Sequence, residues 1–416
     1  MGRYSKVKRN PDNLRRLFSG AVLISTSWIA ACGGASDQEV SGPNPPPPEA
    51  PVDQGQAPVA GCTDGSLAHG ALYRICFPDE WNGDLVLFAH GYVAPQEELA
   101  LPEDVVGGQS ASSLITRLGY AYATTSYRAN GLIAPEAVED LLELVDTVNA
   151  RYRPDPSRRV VVGFSEGGLV ATLAVERHPD RFDGALAGCG PIGDFSAQLD
   201  YIADFRVVFD YFFPGLLPGD ALNIPDALRD RWEQLYVPAI ALALAARPDA
   251  TRQLLNVTQA PVAGDDIRST AETVVGLLWY NVFGTADAQQ RLGGQPYENT
   301  QRVYAGSSDD AALNAGVERY QADPSAQAGL GRFATTGSLT VPLVNLHTSG
   351  DPIVPFSQSV LYGQKVGRAG ATAKFTQLDV DRFGHCTFEA QELLGAFSRL
   401  WESIGPRPVA LRTRAR

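Results

Sequence analysis

The sequence predicts an α/β fold: a mostly parallel sheet with helices on both faces, interrupted by a mainly helical insertion. Three observations predict it. Short apolar, β-branched runs alternate with helical patterns in the first and last parts of the chain, the rhythm of a parallel sheet covered on both sides. One such run, Val160-Val161-Val162, turns through Gly163-Phe164-Ser165-Glu166-Gly167 directly into an Ala-rich apolar helix. From about Pro191 to Ser338 the rhythm stops, and aromatic and Pro-rich pieces alternate with Ala/Leu-rich ones before strands return.

The chain has 416 residues, 44% of them apolar, enough for a large core in one domain with a sizeable insertion. Its formal charge of −13 argues against nucleic acid as a partner. Arg3, Lys6, Lys8, Arg9, Arg15 and Arg16 precede an apolar run, Leu17 to Ala31, that is short for a membrane span. It ends in Ile29-Ala30-Ala31-Cys32-Gly33, which resembles the lipobox of bacterial lipoproteins. That resemblance implies a signal sequence over 1–32, lipidation of Cys32, and placement at the bacterial outer membrane or cell surface. Such a lipid anchor would be the protein's only membrane contact. A periplasmic or secreted protein is the alternative. Residues 33–60, with Pro45-Pro46-Pro47-Pro48, read as a disordered tether.

Residues 61–190 and 340–416 are expected to form the core, with 191–339 as a helical lid. Ala71 to Phe77 alternates well enough for an edge strand, and Asp84 to Ala89 is a buried strand leading into His90-Gly91-Tyr92. Tyr120 to Tyr127 is another strand. Pro135 opens an amphipathic helix with Val138, Leu141, Leu142, Val145 and Val148 on one face. After the Ser165 turn, the helix ends at His178-Pro179, and Phe182 to Ala187 is the next strand. Beyond the insertion come a strand (Val341 to Leu346), a helix (Ser357 to Val366), a strand (Lys374 to Val380) and a closing helix from Phe388 to Ile404.

A strand that turns sharply into a helix with Ser at the apex presents that Ser as a nucleophile, with the helix N-terminus behind it to stabilise developing negative charge. A nucleophilic Ser needs a base, and the base needs an orienting acid. Of five histidines, His385 follows the last strand in a Gly-flanked loop and is the candidate base. His178 reads as a helix cap, His347 as a structural residue in or beyond a strand, His90 as part of the His-Gly loop, and His69 lies beside the hairpin. Asp351, in Gly350-Asp351-Pro352-Ile353-Val354-Pro355, is the candidate acid; Asp379 and Asp381 compete but lie close in sequence to the His loop. The oxyanion donors are expected from the backbone N–H groups of Glu166 and Tyr92, with Val93 as the near alternative. Cys62 and Cys76 bracket a hairpin and form the cheapest disulfide, which leaves Cys189 with Cys386. No spacing indicates a metal site, and no cofactor is implied.

The elbow, the His-Gly loop and the Gly-Asp-Pro-Ile-Val-Pro segment, in the order Ser, Asp, His, resemble the α/β-hydrolase superfamily over about 62–190 and 340–404. The nearest flavour is a secreted bacterial esterase or lipase with a large lid. The pair His385-Cys386 also resembles tannases and feruloyl esterases, but Phe164 rather than Cys precedes Ser165, so that family is not adopted. The resemblance implies hydrolysis of an apolar or aromatic acyl ester, or of a polyester, through an acyl-enzyme. A serine exopeptidase, with acids such as Asp204, Asp309 or Asp310 holding a substrate amine, is the second expectation. A non-catalytic surface lipoprotein is the third. Trp279, Tyr280 and Phe283 are candidate pocket residues.

Overall fold

A computed structural model describes residues 55–102, 105–106, 109–264 and 266–406. The expected signal sequence, Cys32 and the tether through residue 54 lie outside the described residues.

The strands of the main sheet are β1 (Gly61–Ser66), β2 (Leu72–Phe77), β3 (Asp84–Ala89), β4 (Ala121–Thr125), β5 (Arg158–Phe164), β6 (Gly184–Gly188), β7 (Leu343–Gly350) and β8 (Phe375–Phe383). They lie in the order β1-β2-β4-β3-β5-β6-β7-β8. β1 and β2 pair antiparallel, as do β2 and β4, and every later pairing is parallel. This is the sheet of an α/β-hydrolase. The central strands read as continuous apolar runs because helices cover both faces: all six residues of β3 are buried. Asp84 and Arg158, at the starts of β3 and β5, pair at 2.6 Å.

Twelve helices accompany the sheet among the described residues. Those of the core are α1 (Ala111–Arg117), α2 (Ala134–Arg151) and α3 (Glu166–Arg177), then α11 (Ser357–Arg368) and α12 (Ala390–Ile404). Between β6 and β7 run α4 (Phe195–Phe212), α5 (Asp226–Asp230), α6 (Val237–Ala246), α7 (Pro248–Thr258), α8 (Ile267–Leu292), α9 (Asp310–Gly316) and α10 (Pro324–Gly329). α2 carries Pro135 in its first turn and buries Val138, Leu141, Leu144, Val145 and Val148; Leu142 is only half-buried. α3 is buried along ten of its twelve residues and is capped at His178. The segment between β6 and β7 has its own apolar core, in which Phe205, Phe209, Trp232, Leu254, Leu277 and Leu278 join Ile353 and Val354 from the loop after β7.

The sheet edge differs from the expectation. The strand read at 71–77 is β2, second from the edge, and the edge strand is β1. Its sequence, Gly-Cys-Thr-Asp-Gly-Ser, is polar and almost wholly exposed, so it carries no alternation to read. Pairing with β2 places Cys62 opposite Cys76, and the two form a disulfide with Cα atoms 3.9 Å apart. β8 extends past Val380 to Phe383, which puts Asp379 and Asp381 within the strand.

Candidate active site

The chain enters the site from β5. Ser165 sits at φ 58° and ψ −126°, a conformation L-residues avoid at a cost of about 1–3 kcal/mol. Packing holds it there: Ser165 N–H donates to the Gly188 carbonyl at 2.9 Å, and Gly168 N–H donates to the Ser165 carbonyl at 2.9 Å. The glycines of the motif have a steric cause. A Cβ at Gly163 would lie 2.1 Å from the Gly167 carbonyl oxygen, and one at Gly167 would lie 2.0 Å from that of Ala89. Both clashes are with backbone, so no rotamer change relieves them.

Three expected residues come together here. His385 Nε2 lies 2.9 Å from Ser165 Oγ, and His385 Nδ1 lies 2.7 Å from Asp351 Oδ2. Asp351 is fully buried. Its other oxygen accepts the N–H groups of Ile353 (2.9 Å) and Val354 (3.0 Å). Burial alone would raise the Asp351 carboxyl, but the interactions with His385 and His347 outweigh it and hold the group below its ordinary range. With Asp351 ionised, His385 carries its proton on Nδ1, and Nε2 is left to accept from Ser165.

The sequence marks His347 as a structural residue. It is buried in β7, and its Nε2 lies 2.9 Å from the Val354 carbonyl and 3.5 Å from Asp351 Oδ2. Ser359 Oγ meets its Nδ1 at 2.8 Å. His347 therefore braces the turn that carries Asp351, a contact that strand periodicity does not reveal. Asp379 and Asp381 are exposed and bond to Gln377 and Ser349 instead. His69 is exposed. His90 is buried against Tyr127, with ring centroids 4.0 Å apart, and burial pushes its imidazole down.

The loop after β3 closes over Ser165: a Cβ at Gly91 would lie 3.3 Å from Ser165 Cβ. Tyr92 follows directly, and its hydroxyl donates to the Phe283 carbonyl in α8 at 3.2 Å. Val93, the alternative, accepts from Gly131 N–H at 2.8 Å. Cys189 and Cys386 form the second disulfide, joining the end of β6 to the residue after His385 with Cα atoms 5.5 Å apart. Cys189, His385 and Cys386 are also the one compact His/Cys/acid group among the described residues, but both sulfurs are engaged in that disulfide.

A cavity of about 80 Å³ opens beside Ser165. Tyr92, Glu166, Ile353 and Val354 line it from the core, and Phe195, Gln198, Ile202, Tyr280, Gly284 and Ala288 line it from α4 and α8. Of the three aromatics expected in the pocket, Tyr280 lines the wall; Trp279 and Phe283 pack behind it at 5.0 Å from each other. Burial, followed by the charges of Asp351 and Glu166, pushes the Tyr280 hydroxyl up to about 12. The acids expected to hold an amine are engaged elsewhere. Asp204 accepts from Tyr297, Tyr304 and Arg302, Asp309 caps α9, and Asp310 accepts from Ser307 and Gly306.

Glu166 is the acid that does face the cavity, and the sequence offered no sign of its burial. Its Oε1 accepts Ile133 N–H at 2.9 Å at the start of α2, close to Asp287 and Arg291 of α8. Burial pushes its carboxyl up to about 8. The folded chain then keeps a proton that the unfolded chain releases near pH 4.5, so this group's contribution to stability falls as pH rises from about 4.5 to about 8, by at most about 1.4 kcal/mol per pH unit. Glu166→Gln is expected to flatten the decline of Tm between pH 5 and 8 relative to the parent. Equal slopes in thermal melts of the two proteins would show that Glu166 titrates at its ordinary value.

The strand order and the strand–Ser–helix turn define an α/β-hydrolase fold. Residues 115–200, which span the elbow, match the prolyl oligopeptidase family. The chain is 22% identical over 408 residues to an o-phthalyl amidase of Xanthobacter agilis, covering 82% of this chain and 86% of that one. Among solved structures it is similar to an esterase from Aspergillus oryzae (13% identity, TM-score 0.45, 79% of this chain and 78% of that one). It is also similar to Porphyromonas gingivalis dipeptidyl peptidase 4 (9% identity, TM-score 0.39), covering 81% of this chain but spanning only 34% of that protein's length. The family match, together with the site, supports a hydrolase of the serine type.

Proposed function

We propose that the protein is a serine carboxylic-ester hydrolase acting on apolar or aromatic acyl esters. The observation that carries this reading is the unbroken chain Ser165–His385–Asp351, at 2.9 and 2.7 Å, opening onto a mostly apolar cavity. His385 Nε2 takes the Ser165 proton as Oγ bonds to the ester carbonyl carbon. The resulting oxyanion faces the backbone N–H groups of Glu166 and Tyr92. His385 then gives its proton to the leaving alcohol, and the same steps run with water release the acid. Asp351 stays ionised and stabilises the imidazolium.

The amidase relative and the peptidase family match make amides the competing substrates. A substrate amine would need an ionised acid in the cavity. Glu166, the acid there, is neutral up to about pH 8 and is bonded to backbone. An acyl series of chromogenic esters, assayed beside aminoacyl and aromatic-acyl anilides, decides the matter. Esters are expected to turn over at least about tenfold faster than matched anilides, since the acyl part is the same in both and the amide's nitrogen leaving group must be protonated by His385 as it departs. Anilide turnover at equal or greater kcat/KM would replace the ester reading with an amidase one.

Two disulfides fit an oxidising, exported setting. Lipidation of Cys32 would hold the enzyme at a bacterial outer membrane. Intact mass of the full chain expressed in bacteria is expected to show an acylated N-terminal Cys32, absent from Cys32→Ser.

A further inference from the structure

α8 is a 26-residue helix with two glycines in its interior, Gly276 and Gly284. A glycine inside a helix is destabilising relative to alanine, so each calls for a cause. Gly276 has one in packing: a Cβ there would lie 2.9 Å from Ile353 Cδ1. Gly284 does not. A Cβ at Gly284 would meet one atom within 4 Å, the Tyr92 hydroxyl oxygen at 3.8 Å, which is an ordinary contact. The fold would accept alanine at this position. Gly284 and Tyr92 both stand on the wall of the cavity beside Ser165, so what the missing side chain leaves free is cavity space.

The cavity has a direction. Tyr280, Gly284 and Ala288 are spaced by four, so they share one face of α8, with Gly284 and Ala288 about 6 and 12 Å along the helix from Tyr280. All three line the cavity, as do Leu199 and Ile202 of α4. Tyr280 marks the end nearest the nucleophile, because its hydroxyl neighbours the Ser165 side chain. Among the described residues, the wall takes in Ser165, Glu166 and Tyr92 but not His385. The leaving alcohol must meet His385 Nε2 to collect its proton, so it departs on the other side of Ser165. The acyl group is then the part of the substrate that lies along α8.

We propose, resting on the ester-hydrolase reading above, that Gly284 determines acyl specificity: its missing side chain keeps open the passage by which an unbranched aliphatic acyl chain runs from Ser165 along α8 toward Ala288. Gly284 touches no reacting atom. A side chain there would obstruct acyl groups that reach past the first turn from Tyr280 and leave room for shorter ones.

The test measures kcat/KM for nitrophenyl esters of straight-chain acids from acetyl to decanoyl and reads the octanoyl-to-acetyl ratio within each protein, so partial loss of folded enzyme divides out. In the unmodified protein this ratio is expected to be at least about tenfold, from the apolar surface the longer chain buries. Gly284→Ala is expected to lower it by about tenfold, and Gly284→Val by more. Gly284→Ala should also melt no lower than the parent, since alanine is the better helix residue. The effect of Ala288→Val, one turn deeper, should fall mainly on decanoyl relative to hexanoyl. An octanoyl-to-acetyl ratio that both Gly284 substitutions leave unchanged overturns the proposal. So does a shift that appears instead when the alcohol is lengthened on a fixed acetyl group, which would place the alcohol along α8. The same acyl series on anilides separates the two readings. Turnover of anilides alone, with the ratio still falling in Gly284→Ala, would overturn the ester reading and keep this assignment.

Discussion

Ester turnover by Ser165→Ala is expected to fall by about 10⁵–10⁶-fold in kcat, with the melting temperature within a few degrees of the parent. The loss is large because the proposed covalent step has no substitute. His385 Nε2, 2.9 Å from Oγ, would then have no hydroxyl to deprotonate, and water would not be held on the line of attack. The fold should survive, since Ala keeps the Cβ, and the bonds that hold this turn, from Ser165 N–H to Gly188 and from Gly168 N–H to the Ser165 carbonyl, are all backbone. Residual activity should be that of the cavity and the oxyanion donors alone. Activity within about tenfold of the parent would mean that another group carries the reaction.

Asp351→Asn is expected to cost about 10⁴-fold in kcat with little change in KM, for a reason that lies in the bonding of the two carboxylate oxygens. Oδ1 accepts two backbone N–H groups, from Ile353 and Val354, so an Asn must keep its carbonyl oxygen there. Its amide NH₂ then faces His385 Nδ1, where Oδ2 now accepts. Two donors cannot face each other, so the imidazole shifts its proton to Nε2, the nitrogen that must accept from Ser165. The enzyme would be held in the wrong tautomer with its geometry nearly intact. The comparison with Asp379→Asn is informative, because that carboxylate is exposed and bonds only to Gln377. Equal losses in the two variants would refute the assignment of the acid.

Much of this architecture was legible because it depends on local pattern. Val160 to Val162 and Leu85 to Ala89 are buried on both faces, so their apolar runs mark strands regardless of what packs on them. Gly163 and Gly167 are forced by backbone contacts near 2 Å, and such contacts leave glycine as the only residue that fits. Asp351 and His385 sit in loops directly after strands, where the chain must turn and small or rigid residues announce it. What escaped depends on partners distant in sequence. β1 is polar and exposed, and only its pairing with β2 makes it a strand. His347 looks like any strand residue until the turn after β7 folds back to put Asp351 beside it. Glu166 stands out in the sequence only for its backbone N–H, and the approach of α2 and α8 that buries its side chain is not local. The wall of the cavity was least legible. α8 is 26 residues long and packed on several sides, so Trp279, Tyr280 and Phe283 cannot be sorted into wall and filler without knowing which face meets the core.

The Cys189–Cys386 bond has a topological consequence. It closes a loop across a sequence separation of 197 residues, and that loop contains every helix from α4 to α11. A covalent ring of this size removes much of the unfolded chain's freedom, worth about 5 kcal/mol in a chain-entropy treatment. It also makes the enzyme tolerant of being cut. A protease that severs any exposed turn between β6 and β7 opens the ring without separating its two ends, so the strand bearing Ser165 and the loop bearing His385 stay on one molecule. The same nick after reduction would release two fragments, each carrying part of the site. The crosslink thus secures the two ends of the one long excursion the chain makes between the elements bearing Ser165 and His385.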